Sequence, residues 1–452
     1  MAEIPHVYRY RGVSTVAARD RPHLALVTGS PADAPPPYFF EGRVRQPRRV
    51  ADALTAVHLI VGARFFTPAN TVAMRIAQSD PVVTSGGGML RFEGFSACCS
   101  TYIRVDLGPE GYEGEVIGKG STNVDFNAPM RAALAGVRDD HGLGLSVGAD
   151  EFSVTTRGAA ITERKVALPE RWIRGMLEVQ AFQSAMVPRL RAPAVEALRF
   201  LRSLPRASTS RTPMWVARGP SGLFTTTREL DDGVRLTDST RLRALEALIP
   251  FSEGLTVYAD PANQASAWVL DFRGLRVTLA LSAETWRGFS GEGQSLHALM
   301  RLTNDGNGAV LNQVRAQLNW QRLLRADELS ATTGLASDRI VDALRVLGAT
   351  GLVGYDVAEQ GHFHRVLPFD LSAIDDRHPR LAAAKDLLAH QAVRIESGAP
   401  LVAAVKSDGV EHRVRDVDGR VRCTCPWFAK HGGDRGPCKH VLAAVALQEA
   451  HA

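Results

Sequence analysis

Hydrophobic and polar positions change texture along the chain, and each texture predicts a different kind of element. From Arg49 to about Gly62 apolar residues recur at helical spacing, which predicts a helix. Beyond it, Pro81-Val82-Val83 and Met89-Leu90-Arg91-Phe92 read as strands on either side of Gly86-Gly87-Gly88. That triplet predicts a hairpin turn, because glycine takes positive φ without steric cost. Amphipathic packing helices are predicted from Pro169 to about Val187 and from Pro193 to Leu204, followed by a polar, turn-rich linker over Ser203–Ser210. After Gly306-Asn307-Gly308 the pattern is helical: Val310–Leu324, Ala326–Thr332, and a third helix over Ser337–Ala349 capped by Ser337. Strands at Leu352–Asp356 and His362–Val366 complete the order of a winged helix.

Between about Tyr112 and Phe289 the pattern repeats. Gly144-Leu145-Ser146-Val147-Gly148-Ala149-Asp150 shares five identities with Gly254-Leu255-Thr256-Val257-Tyr258-Ala259-Asp260. Met130, Arg157 and Trp172 in one copy correspond to Leu242, Arg273 and Trp286 in the other, in the same order. Each copy reads as a strand, a capped helix and three antiparallel strands, with Asn127 and Ser239 as N-caps. Duplication, set against chance similarity, predicts two copies packed about a pseudo-twofold axis.

Composition narrows the class. With 45% hydrophobic and 22% charged residues in 452, the chain is expected to be globular with several domains. No apolar stretch reaches the roughly 20 residues of a membrane-spanning helix. The N-terminus lacks the basic and apolar regions of a signal peptide, so a cytoplasmic location is expected. The formal charge of +5 carries little weight, since only six of 53 basic residues are lysine and a whole-chain total says nothing about clustering. Adjacent Cys98 and Cys99, in what reads as strand context, are expected to be buried thiols.

Charge also bears on the winged helix. Residues 325–369 contain four arginines and no lysine against six acidic residues, a poor match to a phosphate backbone. Ile340, Val341, Leu344 and Leu347 form the predicted buried face of the third helix, leaving Asp338, Arg339, Asp342 and Arg345 outside. A packing role is favoured over DNA readout. His362 and His364 share a strand face and read as solvated, with a metal pair or DNA contact as the alternatives.

Candidate chemistry concentrates at the C-terminus. Three of the five cysteines fall within 16 residues, as Cys423-Thr424-Cys425, twelve intervening residues, then Cys438-Lys439-His440. On an extended segment Cys423 and Cys425 face the same way, and Gly436-Pro437 starts a helix predicted over Lys439–Gln448. Three sulfurs and one imidazole make a closed tetrahedral shell, the mark of structural rather than catalytic zinc. The pattern resembles the SWIM zinc finger, C-x-C followed by C-x-H, with strands around Leu401–Val405 and Glu411–Val417 included in the module. The whole chain is also similar to bacterial SWIM zinc finger proteins, through Gly354-Tyr355-Asp356 and Phe363-His364-Arg365-Val366-Leu367-Pro368. The resemblance implies one zinc ion and a DNA or protein partner. From Leu401 to Ala452 eight basic residues face six acidic ones, so the zinc-loaded module sits near +1 and suits strong nonspecific DNA binding poorly. Arg413, Arg415, Arg420, Arg422, Lys430, Arg435 and Lys439 are candidates for a local basic patch.

Motifs for catalysis fail. Gly118-Lys119-Gly120 lacks the flanking residues of a phosphate loop, and Asn123, Asp125 and Asn127 fit a helix-capping turn better than a divalent-cation site. The sequence therefore predicts an α+β multidomain protein: a mixed region at 1–110, repeat copies at 111–204 and 205–305, a winged-helix-like domain at 306–375 and a zinc finger domain at 376–452. Its expected role is that of a non-catalytic adaptor with a protein partner; small-molecule substrates are not expected. A DNA-binding regulator is the alternative, and an enzyme of unrecognised type a remote one.

Overall fold

Alternating apolar positions are frequent between residues 38 and 283, and many of those described there fold into antiparallel sheet. The computed structural model describes residues 15–19, 21–25, 38–63, 81–115, 118–123, 126–149, 151–164, 170–206, 214–283, 288–291, 293, 295–296, 300, 308–367, 378–432 and 435–451. Asp125, Asp150 and Trp286 lie outside them, as does the linker beyond residue 206.

A hairpin of β1 (Thr15–Arg19) and β2 (Arg21–Ala25) comes first. Strand β3 (Tyr38–Val44) leads into helix α1 (Pro47–Val61) and the meander β4 (Val82–Gly86), β5 (Met89–Phe95), β6 (Thr101–Leu107). Then come β7 (Tyr112–Glu115), β8 (Gly120–Asn123), α2 (Ala128–Ala135) and a second meander, β9 (Gly144–Gly148), β10 (Glu151–Thr156), β11 (Ala159–Arg164). Helix α3 (Glu170–Gln183), β12 (Val187–Ala192) and α4 (Ala194–Ser203) precede β13 (Met214–Gly219), β14 (Gly222–Thr226) and β15 (Val234–Leu236). The short α5 (Ser239–Leu242) opens the last meander, β16 (Gly254–Ala259), β17 (Ala265–Phe272), β18 (Leu275–Ser282).

Besides the β1–β2 hairpin and a three-stranded sheet ordered β14-β13-β15, two larger sheets organise these strands. One has eight, in the order β12-β16-β17-β18-β6-β5-β4-β8, and the other five, in the order β11-β10-β9-β3-β7. The joint in the larger sheet is β18 against β6, antiparallel from Leu275 opposite Leu107 to Leu281 opposite Thr101. Helix α1 buries Val50, Leu54, Val57 and Val61 in the main core, where Trp172 of α3 meets Phe95 edge-on at 6.0 Å. Each sheet thus hides a face that would otherwise be wet, the main source of its stability.

Several local readings change. Helix α3 ends at Gln183 rather than near Val187, and Val187–Ala192, between the two expected helices, is an edge strand; Pro188 is tolerated because an edge strand need not donate every N–H, and the pairing shifts register between Pro188 and Leu190. Asn127 caps α2 through the Met130 N–H at 3.1 Å, whereas the α5 cap is Asp238, one residue before Ser239. Cys98 and Cys99 occupy a tight turn, with Cys99 at φ 57°, rather than a strand. Gly87 and Gly88 do take positive φ between β4 and β5.

Helices α6 (Gly308–Ala316), α7 (Ala326–Thr333) and α8 (Ser337–Ala349) and the hairpin of β19 (Val353–Asp356) and β20 (Gly361–His364) follow. Helix α8 buries Ile340, Leu344 and Leu347, and its N-cap is Ala336, which makes no side-chain bond. The hairpin lies on the eight-stranded sheet, and both its strands are buried throughout. Arg104 Nη2 is 3.0 Å from Asp356, its Nη1 donates to the Tyr355 carbonyl at 2.7 Å, and its Nε pairs with Asp106 at 2.8 Å. Arg91 Nε lies 3.1 Å from Asp106, and Arg365 pairs with Glu93, which also accepts from the Tyr102 hydroxyl at 2.6 Å. Phe363 sits among the cations, 4.1 Å from the Arg91 guanidinium and 5.2 Å from that of Arg104. Burial opposes the charge of Asp356, but Arg104, Arg276 and Arg91 together outweigh it and hold its pKa below the ordinary value.

His362 and His364 are buried, not solvated. His362 packs edge-on against Tyr355, while His364 accepts the backbone N–H of Trp320 at Nδ1, 2.6 Å away, and lies beside the Trp320 ring. Burial lowers the pKa of each to about 4. The same loop grips the glycine turn: a Cβ on Gly87 would lie 2.5 Å from the Arg322 nitrogen.

Two predictions follow from this packing. Asp356→Asn leaves Arg104 short of a counter-charge out of water and should cost about 3–5 kcal/mol in chemical denaturation; Asp342→Asn, on the outer side of α8, should change stability by less than about 0.5 kcal/mol. The second concerns pH. An unfolded histidine protonates near its ordinary value of about 6.5 and folded His362 only near 4, so the unfolded state binds more protons between them and stability falls as pH drops through that window. Relative to His362→Gln, the native protein should lose about 1.4 kcal/mol per pH unit there, read from urea midpoints.

Candidate metal centre

Helix α9 (Pro379–Ala389) packs on the last helix, α11 (Lys439–His451), beside a sheet ordered β21 (Val393–Gly398), β22 (Leu401–Ser407), β23 (Val410–Val417), β24 (Arg420–Cys423). A short helix, α10 (Pro426–His431), follows β24. Strands β22 and β23 and helix α11 match the sequence expectation closely, and Cys423 and Cys425 lie on extended backbone as expected; β21 and α10 were not foreseen.

Cys423 ends β24, Cys425 is the N-cap of α10, Cys438 precedes α11, and His440 lies in its first turn. One donor atom from each of the four lies within 4.8 Å of the others, and all four residues are buried. The Cys423 and Cys438 sulfurs stand 3.8 and 3.9 Å from His440 Nδ1. Tetrahedral zinc, with bonds of about 2.3 Å to sulfur and 2.0 Å to nitrogen, puts such atoms roughly 3.6 Å apart, so small contraction brings the set to bonding geometry. Backbone N–H groups of Phe428 and Val441 point at the Cys425 and Cys438 sulfurs, at 3.4 and 3.5 Å, as expected around thiolates. The His412 ring lies over that of His440 at 4.3 Å.

The protein groups alone are electrostatically crowded. A hydrogen bond from the Cys423 thiol brings the Cys438 pKa down to about 4, the same contact pushes Cys423 up, and burial pushes Cys425 up. A divalent cation resolves the conflict by taking all three as thiolates, with release of protons. Four protein donors complete the shell and leave no coordination site for substrate.

The module is braced within itself and fastened to the rest. Arg380 donates to the Arg435 and Pro437 carbonyls, at 2.8 and 2.9 Å, and stacks over Trp427 at 4.7 Å. Leu296 and Met300 enter the module's core. Their neighbour Ser295 donates through its backbone N–H and hydroxyl to buried Glu178 of α3. Of the expected basic patch, Arg413 is neutralised by Glu396 at 2.5 Å and Lys439 by Asp408 at 3.1 Å.

Donor set and closed geometry together define a structural zinc finger. More particularly, residues 414–447 match the family model described as SWIM zinc finger, in agreement with the ligand pattern. No curated protein matches the chain. Among solved structures, the proliferating cellular nuclear antigen of Entamoeba histolytica aligns with a TM-score of 0.35 at 9% identity, over 54% of this chain and 98% of that one. So distant a likeness brings no function with it. Among the described residues no helix is long and apolar enough to cross a membrane.

Cys438→Ser should abolish stoichiometric zinc, measured by metal analysis of the purified protein, and expose the C-terminal segment to limited proteolysis. Metal-free protein with that segment still protected would refute the structural role.

Proposed function

We propose that the protein is a non-catalytic, cytoplasmic adaptor that binds other proteins. In this reading the two sheets form a platform, residues 308–367 a winged-helix-like unit mounted on it, and the zinc finger a rigid tip. The strand–helix–meander order recurs in β8-α2-β9-β10-β11 and β15-α5-β16-β17-β18, which supports an internal duplication within the platform.

The observation that carries the proposal is the buried hairpin. A winged helix that reads DNA offers its third helix and wing to phosphates. Here the corresponding hairpin spends its charges on Arg104, Arg276 and Glu93 of the sheet. The accessible side of α8 carries Asp338, Arg339, Asp342 and Arg345, a balanced set, and Arg345 is paired with Asp342 at 3.1 Å. The finger, near +1 with zinc, adds little attraction for a polyanion. These features favour a protein partner over the runner-up, a DNA-binding regulator, and the closed metal shell supports the non-catalytic part.

The test is a fluorescence anisotropy titration with duplex DNA between 50 and 200 mM salt, beside purification of the native protein with and without nuclease. Expected are weak DNA binding and nuclease-resistant protein partners. Submicromolar duplex binding that weakens about a thousandfold over that salt range would favour the regulator instead.

A further inference from the structure

The zinc finger and the platform enclose a cleft of about 590 Å³, within the usual range for ligand pockets of roughly 300–1,000 Å³. One wall is Arg420, Val421 and Arg422 of β24; Phe182 of α3, Phe428 of α10 and Gln264 of the β16–β17 turn face it. Successive strand residues point to opposite faces. A cavity that touches three in a row therefore runs along the edge of the strand. Among the described residues, strand β24 is the outermost of its sheet and pairs only with β23, so the cleft opens on a backbone edge of four residues, about 13 Å long, that no other described strand takes up.

The side chains along that edge say what fits. Arg420 and Arg422 share one face, and Arg415 lies directly opposite Arg422 on β23. The neighbouring Arg394 and Arg413 are paired with Glu396 and Glu411. Arg415, Arg420 and Arg422 have no carboxylate within salt-bridge distance among the described residues. On the other face Val421 is apolar, like Phe182 and Phe428 across the cleft. Asp260, also in the lining, is already engaged by the N–H groups of Ala262 and Ala265, at 3.0 and 2.5 Å.

We propose that the β24 edge takes an extended peptide as a fifth strand, one with acidic and apolar residues in alternation. Main-chain hydrogen bonds hold it, carboxylates on one face meet the three arginines, and apolar side chains on the other enter the cleft. A nucleic acid has no use for a strand edge, and three cations give it little purchase. The proposal rests on the protein-binding reading above and names the site and partner chemistry.

The probe is a fluorescein-labelled hexapeptide of alternating glutamate and leucine, titrated by anisotropy into the full-length zinc protein. Saturable binding is expected. It should weaken at least about tenfold in Arg420→Glu/Arg422→Glu, when the peptide is N-methylated at alternate residues, and when lysine replaces glutamate. Arg394→Glu, on the far edge of the same sheet, should leave it unchanged. Zinc content and circular dichroism show that each variant is folded. No binding, equal binding of the lysine peptide or the methylated peptide, or tighter binding of a single-stranded oligonucleotide overturns the site. If nuclease-resistant partners still co-purify with Arg420→Glu/Arg422→Glu, this site fails and the adaptor reading stands; if the native protein retains none, that reading fails too.

Discussion

Three guanidinium groups and three carboxylates lie out of water between the eight-stranded sheet and the β19–β20 hairpin, and each is tolerable there only because the others are present. Arg91, Arg104 and Arg365 balance Glu93, Asp106 and Asp356, with Phe363 among the cations. Removing any one leaves a buried charge short of its counter-charge, a penalty of several kcal/mol. The unit of residues 308–367 is consequently not a free module beside the sheets. Its hairpin is held by charge, its α6–α7 loop by the Gly86–Gly88 turn, and its α8 by α3, where Gly348 meets Gln180.

Zinc plays the analogous part at the C-terminus. The finger's apolar core is small, and much of it is supplied from outside the SWIM segment by Leu296, Met300, Leu381 and Ala384. The metal ties β24, α10 and α11 at one point, Arg380 closes the loop before α11, and Ser295 with Glu178 links the assembly to α3. Both junctions converge on α3, which makes that helix the common support of the platform, the helical unit and the finger.

What could be read from the sequence was what repeats locally. The bounds of α8 followed from its apolar spacing, the Gly86–Gly88 turn from its need for positive φ, and the zinc ligands from residue types at a fixed interval. Partner-dependent features were not legible. Arg91, Glu93, Arg104 and Asp106 alternate with apolar residues just as they would on a strand with one wet face; period two cannot tell water from a matching charge on another element. His362 and His364 misled for the same reason. Val187–Ala192 was hidden by Pro188, a signal against central strands that is silent about edges. The β24 cleft needed both the finger and α3 in place before it existed.

The ion network also imposes an order on events at the ribosome. Its sheet-side members emerge by residue 106, but Arg365 comes about 260 residues later, roughly 13 to 50 s at common bacterial-to-eukaryotic elongation rates. Until then Glu93 lacks Arg365 and Arg104 lacks Asp356, so water is the better environment for that face of the growing sheet. The nascent chain carries its own delay: the surface that will bind the hairpin cannot dry early, and translation stopped before the hairpin yields a product with ionic groups stranded at what should have been an interior.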